Sequence, residues 1–287
     1  MSKPADIQPM RIRRKHLNSY QWYVFVMLTI GALFMLFPFV WMILSAFKTK
    51  ADVYAYPPRW IPSQWQWQNF TKVFEMIPFW RYYFNSIVTS VIETVLQIVI
   101  SIFAAYSITK LRYPGKKLFL AFMRSSLFVP MVVTMIPMYL LVASLGWLDS
   151  YAGIIFPQVT TAFTTLLLMS YFDSIPKDLV DSAKLDGCGY FRVLTRVIVP
   201  NSKGAISTAT LFSFLGNWKS YTWPLIVTTK TEYRTLPIGL KYLMQESSSE
   251  YQVMMAASLM AILPVLIIFI FCEKQLVRSI TLTGMKS

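Results

Sequence analysis

Six long apolar runs limit what this chain can fold into. A helix crosses about 30 Å of hydrocarbon with roughly 20 residues, and each run is at least that long. The runs cover residues 24–47, 82–108, 118–146, 151–172, 205–229 and 251–272. Only 14% of all residues are charged, whereas 55% are hydrophobic, which is typical of a protein embedded in a bilayer. We therefore predict an all-α polytopic membrane protein with six transmembrane helices.

The positions of Lys and Arg predict its orientation. The N-terminus and the segments on its side of the membrane hold about twice as many basic residues as the opposite side. Because cytoplasmic loops carry this excess, both termini are expected in the cytoplasm. The same rule accounts for the formal net charge of +14, so nucleic acid is not an expected partner. The first run follows "RIRRK", but its length favours a retained helix over a cleaved signal peptide.

These patterns divide the chain into three parts. Residues 1–23 form a cytoplasmic N-terminal segment, residues 24–276 a transmembrane domain and residues 277–287 a cytoplasmic tail. Within the domain, residues 173–204 form a polar cytoplasmic loop in which apolar and charged residues alternate with helical spacing around an Asp-Gly break. A helix lying along the membrane surface is one interpretation of this loop.

The same loop resembles the coupling loop of ATP-binding cassette importer permeases. The family pattern is Glu-Ala-Ala, two residues, Asp-Gly-Ala, and an apolar series that closes on Pro. Here it is "DSAKLDGC", residues 181–188, closing on Pro200. The sequence departs from the pattern at Asp181, Ser182 and Cys188, while the spacing is kept.

Other stretches are similar to the maltose-type carbohydrate-uptake permeases. They include "AAYSITKLRYPGKK", "VPMVVTMIPMYLL", "LGWLDSYAGIIFP", "NWKSYTWPL" and the C-terminal "LTGMKS". The resemblance extends over residues 24–287. It implies a permease subunit of a binding-protein-dependent importer for a sugar or oligosaccharide, an acidic one included, in the bacterial cytoplasmic (inner) membrane. It also implies a cytoplasmic coupling helix between the fourth and fifth membrane helices.

The resemblance further implies the partners. These are a second permease subunit, two ATP-binding subunits, an extracytoplasmic substrate-binding protein and the carbohydrate. The chain lacks a GxxxxGK[ST] phosphate loop and a nucleophile-base arrangement, so we expect no enzyme activity of its own. No cofactor or metal is expected on this chain, because ATP and Mg would be bound by the ATP-binding subunits. A self-contained ion-coupled secondary transporter is the alternative. Such a carrier would need inverted repeats or relays of charged residues across its spans, and this chain has few charges within its apolar runs.

Residue roles follow from the same resemblance. Two groups are expected to contact the ATPase subunits. The coupling group comprises Leu179, Asp181, Ser182, Ala183, Leu185, Asp186 and Gly187. The tail group comprises Thr283, Gly284 and Lys286, for which a freely disordered tail is the competing interpretation.

A polar face on the second run is a candidate substrate pathway. It includes Ser90, Glu93 and Gln97 at helical spacing, and helix packing through small polar side chains is the competing interpretation. Glu93 lies about 22 Å from the cytoplasmic end of its run and Lys219 about 21 Å from that end of the fifth run. Lys219 stands where the family usually has Asn. Two hypotheses stay open, a Glu93–Lys219 ion pair, which is slightly favoured, and a Lys219 that binds an anionic sugar.

Two aromatic residues flank Lys219. Trp218 and Tyr221 could stack on sugar rings, although packing is the commoner use of such residues.

Overall fold

The computed structural model describes residues 19–246 and 250–284, a chain of helices in which no strand occurs among those residues. The first half contains α1 (Ser19–Ala46), α2 (Lys50–Val53), α3 (Gln68–Met76), α4 (Phe79–Lys110), α5 (Lys116–Ser126), α6 (Met131–Ser144) and α7 (Tyr151–Ile155). The second half contains α8 (Ala162–Ser174), α9 (Lys177–Leu185), α10 (Tyr190–Val193), α11 (Val199–Asn201), α12 (Lys203–Trp218), α13 (Thr222–Val227), α14 (Leu236–Glu246) and α15 (Tyr251–Gly284). Short 3-10 turns lie at Phe156–Gln158 and Thr231–Tyr233, and a π-helical turn at Leu194–Ile198. The all-α prediction is confirmed.

Several of these helices could cross a membrane. By length and composition, three of the described helices qualify: Tyr20–Ala46 in α1, Phe79–Lys110 (α4) and Tyr251–Glu273 in α15. Two bent pairs also qualify if each is one span, namely α5 with α6, bent by 105°, and Tyr151–Gln158 with α8, bent by 43°. That makes up to five spans, and the predicted count of six therefore stays a prediction.

The apolar runs differ from the helices where the chain breaks them. The third run is interrupted before Pro130, which has extended backbone angles and cannot donate a backbone hydrogen bond to the preceding turn. The fifth run is also not one helix, because α12 ends at Trp218 and the chain resumes as α13 at Thr222. Hydropathy alone does not register the first break, since Leu127, Phe128 and Val129 are as apolar as their neighbours, whereas the second break contains the polar residues Lys219 and Ser220.

Helix α4 is the centre of the bundle. It packs most extensively against α8 and α12, while α12 also packs on α15 and α15 on α1. One apolar core lies at the Lys110 end of α4 and includes Tyr106, Phe172 and Ile198. A second core lies at the Phe79 end and joins α3, α4, α12, α14 and α15. The two ends of the bundle are thus separately packed around one long helix.

Candidate functional site

Helix α9 presents one face to the bundle and the other to the surroundings. Val180 is buried in the core at the Lys110 end of α4, and Ala183 packs against the same core. On the remaining surface Leu179 is 47% exposed and Leu185 is 89% exposed. Asp181, Ser182 and Asp186 are also exposed. A short amphipathic helix that turns apolar side chains outward is suited to binding in a groove of another protein.

The end of α9 is closed by backbone geometry. The N–H of Cys188 donates to the carbonyl of Ala183 and that of Gly187 to the carbonyl of Lys184, both at 3.0 Å. These two bonds define a Schellman motif, in which the residue after the cap adopts a left-handed conformation. Gly187 has φ +77°, which residues with a Cβ rarely adopt. The Asp-Gly pair therefore terminates the helix and turns the chain.

Contacts tie the loop around α9 to the Lys110 end of α4. The Lys110 ammonium donates to the carbonyl of Ile175 at 3.2 Å, just before α9. The Tyr106 hydroxyl donates to the carbonyl of Tyr190 at 3.1 Å, at the start of α10. Both bonds connect the segments on either side of α9 to the central helix.

The polar face of α4 is used mainly for packing against other helices. The amide of Gln97 donates to the carbonyl of Gln158 at 2.6 Å, and its oxygen accepts a hydrogen bond from the amide of Asn217 at 3.2 Å. Asn217 also donates to the hydroxyl of Thr94 at 3.1 Å. Ser90 is buried on the same helix. These bonds fit the competing interpretation, in which polar side chains hold membrane helices together.

The favoured Glu93–Lys219 ion pair is wrong for this structure. Glu93 is buried on α4, with no ion pair or hydrogen bond in the described parts of the chain. Lys219 is exposed, because α12 ends at Trp218 and the chain leaves the helix at this residue. Asn217 reaches α4 instead of Lys219.

The two aromatic candidates differ in their surroundings. Trp218 is buried, donates its indole N–H to the carbonyl of Ala261 at 3.2 Å and packs against Phe214. Tyr221 is half-buried at the start of α13. In this structure Trp218 is a packing residue, whereas Lys219 at this break is exposed and Tyr221 is half-buried.

Asn217 was not among the predicted site residues. Together with Ser213, which contacts the hydroxyl of Thr164 at 3.1 Å, it forms a polar face on α12. Polar residues four apart on a helix share a face, so this spacing could have identified both residues.

The two tail residues Thr283 and Gly284 lie in the last turn of α15. Lys286 lies outside the described residues.

At the Phe79 end of α4, acidic residues organise two loops. Asp52 is buried, which would raise its pKa, but hydrogen bonds from the backbone and hydroxyl of Ser63 and from Arg59 outweigh this effect and hold the pKa well below its ordinary value. Trp60 and Trp65, on the loop that these bonds hold, are exposed. The loop can therefore present aromatic side chains to the membrane interface or to another protein.

The second of these loops depends on Asp149. Its carboxylate accepts hydrogen bonds from the backbone N–H groups of Thr229 and Lys230, at 2.6 and 2.7 Å, and from the Thr229 hydroxyl at 2.6 Å. Partial burial opposes ionisation, but these donors stabilise the carboxylate more strongly and lower its pKa. The loop before α7 is thereby joined to the chain after α13.

Comparisons with known proteins agree with this arrangement. Residues 97–281 match the family model described as "Binding-protein-dependent transport system inner membrane component". The chain is 32% identical to the arabinooligosaccharides transport system permease protein AraQ of Bacillus subtilis, over 78% of this chain and 80% of that protein. It is 30% identical to the sulfoquinovosyl glycerol transport system permease protein SmoH of Agrobacterium fabrum, over 88% and 89% of the two chains.

A solved structure extends the comparison to the fold. A chain of a bacterial ABC transporter involved in the import of the acidic polysaccharide alginate superposes with a TM-score of 0.77 and 26% identity, covering 93% of this chain and 99% of that chain. The matched family model and the similar relatives lead to one conclusion. The chain belongs to the inner membrane components of binding-protein-dependent transport systems, the permease subunits of ABC importers.

Proposed function

We propose that this permease works in an ATP-driven importer for a sugar or oligosaccharide. In the proposed complex it pairs with a second permease, two ATP-binding subunits and an extracytoplasmic substrate-binding protein. AraQ and SmoH, which belong by name to transport systems for sugar-containing molecules, support the substrate class.

The proposed topology has six membrane helices with both termini in the cytoplasm. Residues 1–23 and 277–287 would be cytoplasmic, and residues 24–276 would form the permease domain. The loop of residues 173–204 would contact the ATP-binding subunits, assisted by Thr283, Gly284 and Lys286. ATP and Mg would be bound by those subunits, since this chain has no phosphate-binding loop of the GxxxxGK[ST] type.

The observation that carries the proposal is the outward apolar surface of α9. Leu185 is 89% exposed beside the Schellman turn, while Val180 on the opposite face is buried. An apolar side chain this exposed at the end of an anchored helix is expected to be covered by a partner. Motion of that partner would reach α4 through the bonds at Ile175 and Tyr190.

The test replaces Leu185 in the purified complex. Leu185→Glu places a charge in the proposed interface and should reduce binding-protein-stimulated ATP hydrolysis roughly tenfold or more, the size expected for a central interface residue. Leu185→Met keeps the apolar contact and is the matched control. Full stimulated hydrolysis by the Glu variant would contradict the role of α9. Transport driven by an ion gradient without ATP would favour the alternative secondary transporter.

A specific observation favours an acidic carbohydrate as the substrate. Lys219 is exposed at the break between α12 and α13 and takes part in none of the ion pairs found in the described residues. The alginate importer, which is similar at 26% identity, handles an acidic polysaccharide. An exposed ammonium that takes part in none of these ion pairs would attract the carboxylate of a uronate that reaches it.

This second proposal is tested with a panel of neutral and uronic-acid oligosaccharides in liposomes that contain the complex and its binding protein. We expect acidic sugars to stimulate ATP hydrolysis, and Lys219→Gln to reduce that stimulation. Lys241, on α14, is also exposed and provides the control variant Lys241→Gln. Stimulation by neutral sugars alone would exclude the role of Lys219 as an anion contact.

A further inference from the structure

A basic cavity of about 700 Å³ lies behind α9, between the Lys110 end of α4 and the beginning of α5. Its basic side chains come from segments about 60 to 70 residues apart in the sequence. They are Lys110, Arg112, Lys116, Lys177 and Lys184. Two carboxylates, Asp173 and Asp181, also line the cavity and leave an excess of positive charge. Basic residues that only obey membrane topology have no need to converge on one cavity.

Two of these side chains are held in place by the backbone. The ammonium of Lys116 donates to the carbonyl of Leu111 at 3.1 Å, and that of Lys110 donates to the carbonyl of Ile175 at 3.2 Å. Both residues are half-buried. Tyr113 and Tyr190 also line the cavity, and their phenols are potential donors. The cavity therefore combines fixed cations with neutral donors, the combination that recognises a phosphate group.

A second cavity of about 490 Å³ adjoins the first and leads to an exposed apolar surface. The two cavities share Arg112, Tyr113 and Lys116, and the second extends to Leu118 on α5. Helix α5 buries none of its residues, and Leu118 and Phe122 are 63% and 68% exposed. An acyl chain could lie along this apolar surface while its headgroup stays at the basic turn.

We propose that the basic cavity binds a phosphate-bearing group, supplied by the headgroup of an anionic phospholipid. Basic pockets between membrane helices on the cytoplasmic side bind such headgroups, and each Lys or Arg near the surface strengthens the attraction. The bound phosphate would bridge α9 to the turn between α4 and α5. The lipid would thereby stabilise the position of the loop that contains α9.

The test measures thermal unfolding of the full chain, together with any subunits that copurify, during titration with short-chain lipids. Dioctanoyl-phosphatidylglycerol should raise the unfolding midpoint in a saturable manner, because a ligand that binds the folded state stabilises it. Dioctanoyl-phosphatidylcholine should not. Arg112→Gln with Lys116→Gln should weaken the apparent affinity about 25-fold, at about fivefold for each charge removed.

Two further variants keep the test decisive. Arg196→Gln with Lys203→Gln removes the same charge from exposed positions that line neither cavity and should leave the affinity within about twofold. Lys177→Gln alone should weaken binding about fivefold and replaces the double variant if that protein does not fold.

The source of the phosphate is distinguished by a second titration. Inorganic phosphate at constant ionic strength should stabilise the protein far less than phosphatidylglycerol. Stabilisation by inorganic phosphate that phosphatidylglycerol cannot increase would assign the cavity to a soluble phosphate compound. Equal responses of the wild-type and Arg112→Gln/Lys116→Gln proteins, or equal effects of both lipids, would overturn the proposal. Lipid binding can be measured whether or not ATP-binding subunits copurify, so failure here is distinct from failure of the proposed importer function.

Discussion

At the scale of single residues, the turn after α9 shows how backbone geometry restricts the choice of side chain. Gly187 has φ +77° and Gly189, two positions later, has φ −69°. A Cβ added at either residue would meet nothing within 4 Å. The two glycines thus have equal space, and only Gly187 needs its freedom of conformation.

We therefore expect Gly187→Ala to destabilise the turn by about 1–2 kcal/mol, because a residue with a Cβ pays this amount in the left-handed region. Binding-protein-stimulated ATP hydrolysis should fall with it, since Leu185 is positioned by the same turn. Gly189→Ala is the matched control and should leave both properties nearly unchanged. Thermal unfolding and ATPase assays of the complex would measure the difference, and equal behaviour of the two variants would contradict this account.

Residue identity alone did not predict which side chain near the end of α12 forms hydrogen bonds with α4. Equal depth along two apolar runs suggested that Glu93 and Lys219 would meet, but depth takes no account of rotation around the helix or of where a helix ends. With α12 ending at Trp218, Lys219 is exposed and Asn217 bonds to Thr94 and Gln97. The polar face of α4 was predictable from spacing, whereas its partners required the packing of α12.

At the scale of elements, Asp149 acts as a bridge between two connections. Its own backbone N–H donates to the carbonyl of Val227 at 2.9 Å, while its carboxylate accepts bonds from Thr229 and Lys230. Asp149 has φ +52°, an uncommon conformation that Asp tolerates better than most residues. Asp149 therefore joins the loop before α7 both to the last residue of α13 and to the residues that follow α13.

The lowered pKa of Asp149 predicts how this bridge depends on pH. A carboxyl with a lower pKa in the folded protein contributes stability above its unfolded pKa, for which the ordinary value is 3.8, and loses it as pH falls through the folded pKa. Asp149→Asn should lower the unfolding temperature at neutral pH, and the difference from the wild type should shrink below about pH 4. Asp178→Asn, at an exposed position in the first turn of α9, is the control. A difference that is independent of pH would exclude the ionised carboxylate as its cause.

The apolar runs predict that these elements are helices, but they do not predict where the helices are broken. Runs of about 20 apolar residues predict membrane helices because backbone groups in hydrocarbon must bond within their own segment. The same runs do not register the break before Pro130 or the one after Trp218. Breaks at membrane depth are tolerated where protein or water covers the backbone, which is a property of the assembled bundle.

At the scale of the whole molecule, the two ends of the bundle should face opposite compartments. Gln68 at the start of α3 and Gln245 in α14 are exposed at the Phe79 end of α4, and Lys117 and Lys203 are exposed at the Lys110 end. In a variant with Cys188 and Cys272 replaced by Ser, we expect single cysteines at Gln68 and Gln245 to react with a membrane-impermeant thiol reagent on intact spheroplasts. Cysteines at Lys117 and Lys203 should react only after permeabilisation.

Agreement within each pair and contrast between pairs would establish the proposed orientation. Labelling of Lys117→Cys from outside, together with protection of Gln68→Cys, would invert it.

Family membership was also predictable at this scale, since the Asp-Gly spacing around residues 181–187 is kept although individual residues differ from the family pattern. The basic cavity was not, because its lysines and arginines look like ordinary topology signals until the fold brings them together.

Helix α1 has a consequence for biosynthesis. Its residues from Tyr20 to Val40 are almost all exposed, and the helix that it contacts most is α15, about 200 residues later in the chain. During translation, α1 therefore leaves the ribosome long before its main partner exists. With a mean hydropathy of 2.3 over its apolar window, it can enter the bilayer without that partner. We expect α1 to insert into the membrane first and to anchor the growing chain there. Its final packing position is then set only when α15 has been synthesised and inserted.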